Sequence, residues 1–299
     1  MLRWMMVVVL AVLGGCANAR QPAPFNDPIM FDPDLVAKAD TVVIMIPGAM
    51  TSVGMFTPAL HWASREGVAL AFYRFPGMHG LPVDRKLDIA LAGSQIAGFA
   101  NSLEGKKIRL LGYSTGGPIA ILAAQEIEGD VRIAAISSAV ERAGGVSTAA
   151  RIVADVAEAI VRARSLRREA VWLQYYRTLL VGREAARKPL PPEVVASASP
   201  ISSQTAVAAG TVKLPEKGLP AAQSRDIRRW TLPDDIKPMP GRLRFYVGKE
   251  DPVFATHQTV AFAKKLGSPP IYAYAGQGHL MYMTNPRVFE DIYRWFTAP

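Results

Sequence analysis

Cysteine occurs once in these 299 residues, at Cys16, so no disulfide can close within the chain and no thiolate set is available for zinc or an iron-sulfur cluster. With only four histidines, a metal would have to rely on those and on carboxylates; no spacing asks for a metal or another cofactor. The apolar run at 5–13 falls short of the ~20 residues that cross a bilayer. Neither an internal repeat nor a low-complexity tract stands out. Acidic residues number 25 against 34 basic ones, and the net charge of +9 is dispersed rather than blocked. That balance favours anionic surfaces without pointing to nucleic acid. What remains is a globular composition, 50% hydrophobic and 20% charged with 24 Gly and 23 Pro, in a chain long enough for one or two domains.

Arg3 followed by the apolar run 5–13 reads as an export signal. The run ends in Leu13-Gly14-Gly15-Cys16, which resembles the lipobox of bacterial lipoproteins, where the cysteine becomes the acylated first residue after cleavage. The resemblance implies a signal peptide over 1–15, lipidation at Cys16, and a membrane partner reached through the lipid anchor. Ala17 is neither acidic nor bulky and resembles the residue that permits transfer to the outer membrane, so the expected location is the bacterial cell envelope, facing the periplasm. Residues 16–40 are expected to form a tether, because 18–31 is rich in proline and polar residues and lacks periodicity.

From residue 41 onward, short Val- and Ile-rich runs alternate with helix-length amphipathic segments, the pattern of an α/β protein with a mostly parallel sheet covered on both faces. Strands are expected at 41–46, 70–75, 108–113, 133–137, 243–247 and 271–274, and helices at 83–103, 116–128, 256–266 and 286–296. The span 141–241 is too long for a bare loop. Ile152, Val156, Ile160 and Ala163 lie on one helical face, whereas nine prolines break the stretch 188–240, so the expectation is a helical cap inserted into the domain 41–299, followed by an irregular return. Arg151, Arg162, Arg164, Arg167 and Arg168 accompany the helical part.

Gly112-Tyr113-Ser114-Thr115-Gly116 is a G-x-S-x-G sequence set between an expected strand and an expected helix. By composition alone the pattern arises about 0.1 times in such a chain, so its placement carries the weight. Glycines at such a bend permit a tight turn that lifts the serine hydroxyl to an exposed apex. A hydroxyl is a poor nucleophile at neutral pH and needs a histidine base, which in turn needs a carboxylate to hold its tautomer. His61 and His257 fall inside expected helices and read as surface or packing residues. His79, in Pro76-Gly77-Met78-His79-Gly80, follows a strand and could approach from a loop. His279, in Gly276-Gln277-Gly278-His279, follows the last strand and precedes the last helix, where a loop presents it above the carboxyl edge of the sheet. Asp251, in Gly248-Lys249-Glu250-Asp251-Pro252, is the expected acid, with Glu250 as the alternative. Two backbone N–H groups should face the oxyanion, one from Thr115 and one from Ala49, with Met50 in reserve.

In the order Ser114, Asp251, His279 the chain resembles the α/β-hydrolase superfamily, in particular its monoacylglycerol-lipase-like or serine-aminopeptidase-like branch, in which a helical cap interrupts the sheet. The resemblance implies an α/β-hydrolase fold of about six to eight strands and hydrolysis of an ester, thioester, amide or carbon-carbon bond, or haloperoxidase-like chemistry. Dehalogenation would require Asp at position 114. An apolar cap, an apolar loop at 50–56 that could face substrate and the lack of a charged clamp favour a carboxylic ester or lipid-like small molecule; a peptidase, an amidase and a non-catalytic binding protein are the alternatives. Pro47 stands where many members carry histidine, and 27–40 leaves little room for an opening antiparallel hairpin.

Overall fold

The computed structural model of the protein describes residues 27–51, 53–83, 86–143, 146–189 and 218–298. The export signal, Cys16 and the first part of the tether lie outside them. Seven strands form one sheet in the order β1-β3-β2-β4-β5-β6-β7. They are β1 Ile29–Phe31, β2 Thr41–Ile46, β3 Val68–Tyr73, β4 Lys107–Tyr113, β5 Val131–Ile136, β6 Leu243–Gly248 and β7 Ile271–Tyr274. All neighbours are parallel except β1, which runs antiparallel to β3 with Ile29 opposite Tyr73.

Six strands match the expected ones to within two residues at either end. The seventh, β1, corrects the reading of 16–40 as a tether. Ile29 is buried, the Arg74 N–H donates to the Pro28 carbonyl at 2.7 Å, and the Phe31 ring lies 4.9 Å from Phe99. A helix α1, Pro33–Lys38, follows directly. Asp32 caps it by accepting the Asp34 and Leu35 N–H groups, and Pro33 supplies a preset φ in the first turn. Aspartate followed by proline is an N-terminal signal present in the sequence; the proline-rich surroundings mask it.

Period-two alternation in the strands feeds two cores. Val42, Ile44 and Ile46 pack on one face of the sheet while Val43 and Met45 pack on the other, and Leu110 and Leu111 divide in the same way. On the first face lie α2 Ile89–Asn101, begun by an Asp88 cap six residues later than expected, and α3 Gly116–Glu126. On the second lie a 3₁₀ segment Val53–Ser64 and the terminal helix. This 3₁₀ segment corrects the reading of 50–56 as a loop offering apolar surface to substrate. Met55 and Phe56 are buried in the core beside Trp62, and of the large apolar side chains described in this segment Met50 is the exposed one.

Between β5 and β6 the cap contributes α4 Val146–Ala163 and α5 Arg168–Val181, then a 3₁₀ turn Ala185–Arg187 and a short helix α6 Leu219–Ser224. The expected helical face is real. Val156, Ala159 and Val171 are buried between α4 and α5, with Ile152, Ile160 and Ala163 packed against them. Residues 190–217, in the middle of the expected irregular return, lie outside the described residues. After β6 come α7 Thr256–Lys265, β7, α8 Met281–Thr284 and α9 Arg287–Thr297. No helix among the described residues is long and apolar enough to cross a membrane.

Candidate active site

Ser114 sits immediately after β4 and before α3, with φ +50. A serine in the left-handed region is strained by roughly 1–3 kcal/mol and needs the surroundings to hold it. The holding is visible: its N–H donates to the Ile136 carbonyl at 2.9 Å, and its carbonyl accepts from Gly117 and Ala139 at 3.0 Å each. The two motif glycines act differently from the expectation. Neither has positive φ; each is required because backbone crosses where a side chain would stand. A Cβ at Gly112 would meet the Gly116 carbonyl oxygen at 2.4 Å, and one at Gly116 would meet the Ile46 oxygen at 2.2 Å. The serine carries the strained dihedral, and the glycines provide the close approach.

Ser114 Oγ lies 3.2 Å from His279 Nε2, and His279 Nδ1 lies 2.8 Å from Asp251 Oδ2. His279 and Asp251 are buried. The second oxygen of Asp251 accepts the Val253 and Phe254 N–H groups at 2.7 and 2.9 Å, which fixes the carboxylate plane. The imidazole is flanked by the rings of Tyr113 and Phe254, with centroids 5.4 and 5.5 Å away. Burial raises the pKa of Tyr113 far above its ordinary value, with Tyr282, Asp251 and Tyr176 adding to the shift, so Tyr113 is a neutral wall of the site.

Glu250, the alternative acid, faces elsewhere. Its carboxylate accepts the Gln277 N–H at 3.0 Å and its own N–H donates to the Gln277 carbonyl, so it braces the histidine loop from the side. His79 is also committed. Its Nε2 accepts the Val53 N–H at 3.3 Å and its carbonyl accepts from Arg74; burial, and then the Arg74 charge, lower its pKa. His61 and His257 are exposed. Among the described residues no three His, Cys, Asp or Glu side chains converge on a point that could hold a metal.

Of the two N–H groups expected to face an oxyanion, that of Thr115 follows the serine and that of Ala49 lies in the turn after β2. Among the described residues neither donates a backbone or side-chain hydrogen bond. Met50, the reserve donor, is taken: with φ +61, its N–H points to the side-chain oxygen of Gln223 at 2.7 Å. Gln223 belongs to α6, is 1% exposed, and donates from its own amide to the Pro76 carbonyl at 2.7 Å. Nothing in the local sequence Ala221-Ala222-Gln223-Ser224 singles this residue out.

The cap also grips the histidine loop. The Leu180 and Leu179 carbonyls, at the end of α5, accept the Gly278 and Leu280 N–H groups at 2.8 and 3.0 Å, on either side of His279. Arg183 pairs with Asp155 of α4 at 2.6 Å and donates to the Pro252 carbonyl beside the acid at 2.8 Å.

Residues 43–292 match the sequence model of the alpha/beta hydrolase family. The chain belongs to that family. No curated protein sequence matches the chain. Among solved structures, this alpha/beta hydrolase resembles a thermophilic esterase from Thermogutta terrifontis (17% identity, TM-score 0.61, 93% of this chain and 98% of the other). It is similar to the esterase EaEST from Exiguobacterium antarcticum (16%, TM-score 0.61, 90% and 95%) and to a membrane phospholipase A described as a bacterial virulence factor (15%, TM-score 0.60, 99% and 90%). At these identities the likeness is one of fold.

Proposed function

We propose that this alpha/beta hydrolase cleaves carboxylic esters through an acyl-enzyme on Ser114. The observation that carries the reading is the hydrogen-bonded series Ser114, His279, Asp251 at the carboxyl edge of the sheet. A carboxylate that only accepts hydrogen bonds directs the Nδ1–H of His279 toward itself and leaves the Nε2 lone pair facing the serine hydroxyl. His279 takes the hydroxyl proton as Ser114 attacks the ester carbonyl. The oxygen that becomes negative is met by the Ala49 and Thr115 N–H groups, which have no competing acceptor among the described residues. His279 then returns the proton to the leaving alcohol, and a water repeats the cycle to release the acid.

An ester of apolar character is supported by the aromatic and aliphatic surroundings, with Tyr113 and Phe254 beside the histidine, Tyr282 edge-on to Tyr113, and Tyr176 reaching in from the cap. The fold likeness to esterases and to a membrane phospholipase A agrees with a lipid-like substrate. The lipobox-like sequence ending at Cys16 supports a lipid-anchored protein of the cell envelope, because several acyl chains hold a protein at a membrane where one chain binds only marginally.

A serine-directed fluorophosphonate should add its mass to Ser114, and Ser114→Ala should lose both the label and at least about 10³-fold in kcat. Label that persists in Ser114→Ala defeats the assignment. A panel of acyl esters against aminoacyl amides separates ester hydrolysis from a peptidase, and an unlabelled, inactive protein marks a binding scaffold. Cys16→Ser, expressed in a bacterium that processes lipoproteins, should lose both membrane partitioning and the lipid mass at the mature N-terminus; unchanged partitioning defeats the anchor and leaves the hydrolase reading standing.

A further inference from the structure

The arginines singled out in the cap do not all solvate a helix. Arg162, Arg164, Arg177 and Arg187 line one cavity of about 380 Å³, with Gln174, between α4, α5 and the turn Ala185–Arg187. None of these side chains belongs to the Ser114 site. Arg162 donates from Nη2 to the Gln174 carbonyl at 2.9 Å and to Thr178 Oγ1 at 2.6 Å, which holds its guanidinium, yet its Nε and Nη1 are buried without a partner among the described residues. Arg177 donates from Nη2 to the Lys188 carbonyl, and its Nε is likewise buried without a partner among the described residues.

The two nearby carboxylates are each already paired with an arginine, Glu158 with a cavity-lining one and Asp155 with Arg183 outside it. Glu158 holds Arg187 through two contacts of 2.9 and 3.3 Å, and Asp155 holds Arg183 through two of 2.6 and 3.0 Å. Burial is the main influence on Arg162 and lowers its pKa; Glu158 opposes it, while the charges of Arg177 and Arg187 push in the same direction as burial. Buried guanidinium donors without acceptors are an unfavourable arrangement, and mutual repulsion adds to it. An anion with several acceptor oxygens relieves the repulsion from within the cavity, and it pairs the buried donors when the guanidinium groups turn toward it. The fork geometry of arginine suits a tetrahedral oxyanion, and a recess with fixed donors selects a discrete group where a flat basic patch would merely attract an anionic surface.

We propose that this cavity is a binding site for a phosphate group, held by Arg162 and Arg177 with Arg164 completing the charge. The inference does not depend on the hydrolase reading. A phosphate group reaches an envelope protein as free phosphate or as the phosphodiester of a lipid headgroup, and the two are separable.

The thermal midpoint of the full chain is followed against inorganic phosphate and, separately, against deacylated glycerophosphoglycerol, with sodium chloride holding ionic strength constant. The expected result is a saturable rise of about 3 °C at ten times Kd. It should be preserved in Arg228→Gln, an exposed charge deletion outside the cavity, and should need at least about tenfold more ligand in Arg177→Gln and Arg164→Gln. Tighter response to the phosphodiester assigns the headgroup, and tighter response to inorganic phosphate assigns the free ion. Arg162→Gln removes the central donor, and if that variant does not fold, the other two carry the test. A midpoint that responds only to ionic strength, or a rise identical in Arg177→Gln and Arg164→Gln, overturns the site.

Discussion

The side chain of Gln223 accepts the Met50 N–H at 2.7 Å although 173 positions separate the two residues. One buried amide from the cap's return thereby holds the turn after β2, and its other end is tied to the Pro76 carbonyl. With Met50 turned toward Gln223, the neighbouring Ala49 N–H is left without an acceptor among the described residues.

Gln223→Met keeps the side-chain volume and removes both hydrogen bonds, so the Ala49 donor should lose its alignment more than the substrate loses its binding. The expected result is a fall in kcat of about 10–100-fold with KM within about threefold, since a misaligned oxyanion donor acts on the transition state. Steady-state kinetics on a soluble ester check the split, and an equal rise in KM with unchanged kcat would make Gln223 a mere packing residue.

Asp251 and Glu250 are neighbours whose replacement should have opposite consequences. Asp251→Asn offers an amide to Nδ1, favours the wrong histidine tautomer and should lower kcat on the order of 10⁴-fold. Glu250→Gln keeps an acceptor for the Gln277 N–H and should stay within about tenfold of the parent. Side-by-side kcat/KM values decide, and the reverse order would move the acid to Glu250.

Tyr176 reaches from α5 toward Tyr113 and Tyr282, so its truncation opens apolar space beside the histidine. Tyr176→Ala is expected to shift preference toward longer acyl chains by about 10-fold in relative kcat/KM, the lower end of what one methylene is worth in an apolar pocket. A series of p-nitrophenyl esters measures it, and an unaltered profile would take Tyr176 out of the acyl path. Deletion of the whole cap is a poorer test, because Leu179 and Leu180 hold the peptide groups on both sides of His279.

Arg109 is 1% exposed in β4, where it donates to the Phe296 carbonyl and forms a two-point pair with Asp130, whose side chain is about half exposed at 48%. The hydrogen bond from Arg109 is the main cause that holds the Asp130 carboxyl below its ordinary value of 3.8. A depressed carboxyl contributes stability above that value and loses it as pH falls through the folded-state value. Asp130→Asn should therefore cost about 1–2 kcal/mol at pH 7, allowing for solvent around the aspartate. Urea unfolding should show the gap between parent and variant closing as the pH drops below 3.8. A gap that is constant with pH would mean the ion pair contributes nothing.

Local pattern was enough for much of this molecule. Thr41–Ile46 and Ile271–Tyr274 were readable to the residue because a buried parallel strand is a short branched apolar run bounded by turn residues, and both properties are local. That Ser114, Asp251 and His279 come together was readable because each follows a strand, and in a parallel sheet strand ends gather at one edge. Ile152, Val156, Ile160 and Ala163 declared a helix by spacing alone. Contacts between distant parts of the chain were hidden. β1 depends on an edge that β3 offers, and three residues with no periodicity do not announce a partner 44 positions away. The difference between Ala49 and Met50 as donor rests on a glutamine in α6, and the unpaired donors of Arg162 and Arg177 exist only once α4 and α5 are packed. Sequence determines which backbone each segment prefers and which chemistry each side chain can offer. Only the packed structure decides which donors are already satisfied, because a hydrogen bond is spent or free according to what stands three ångströms away in space.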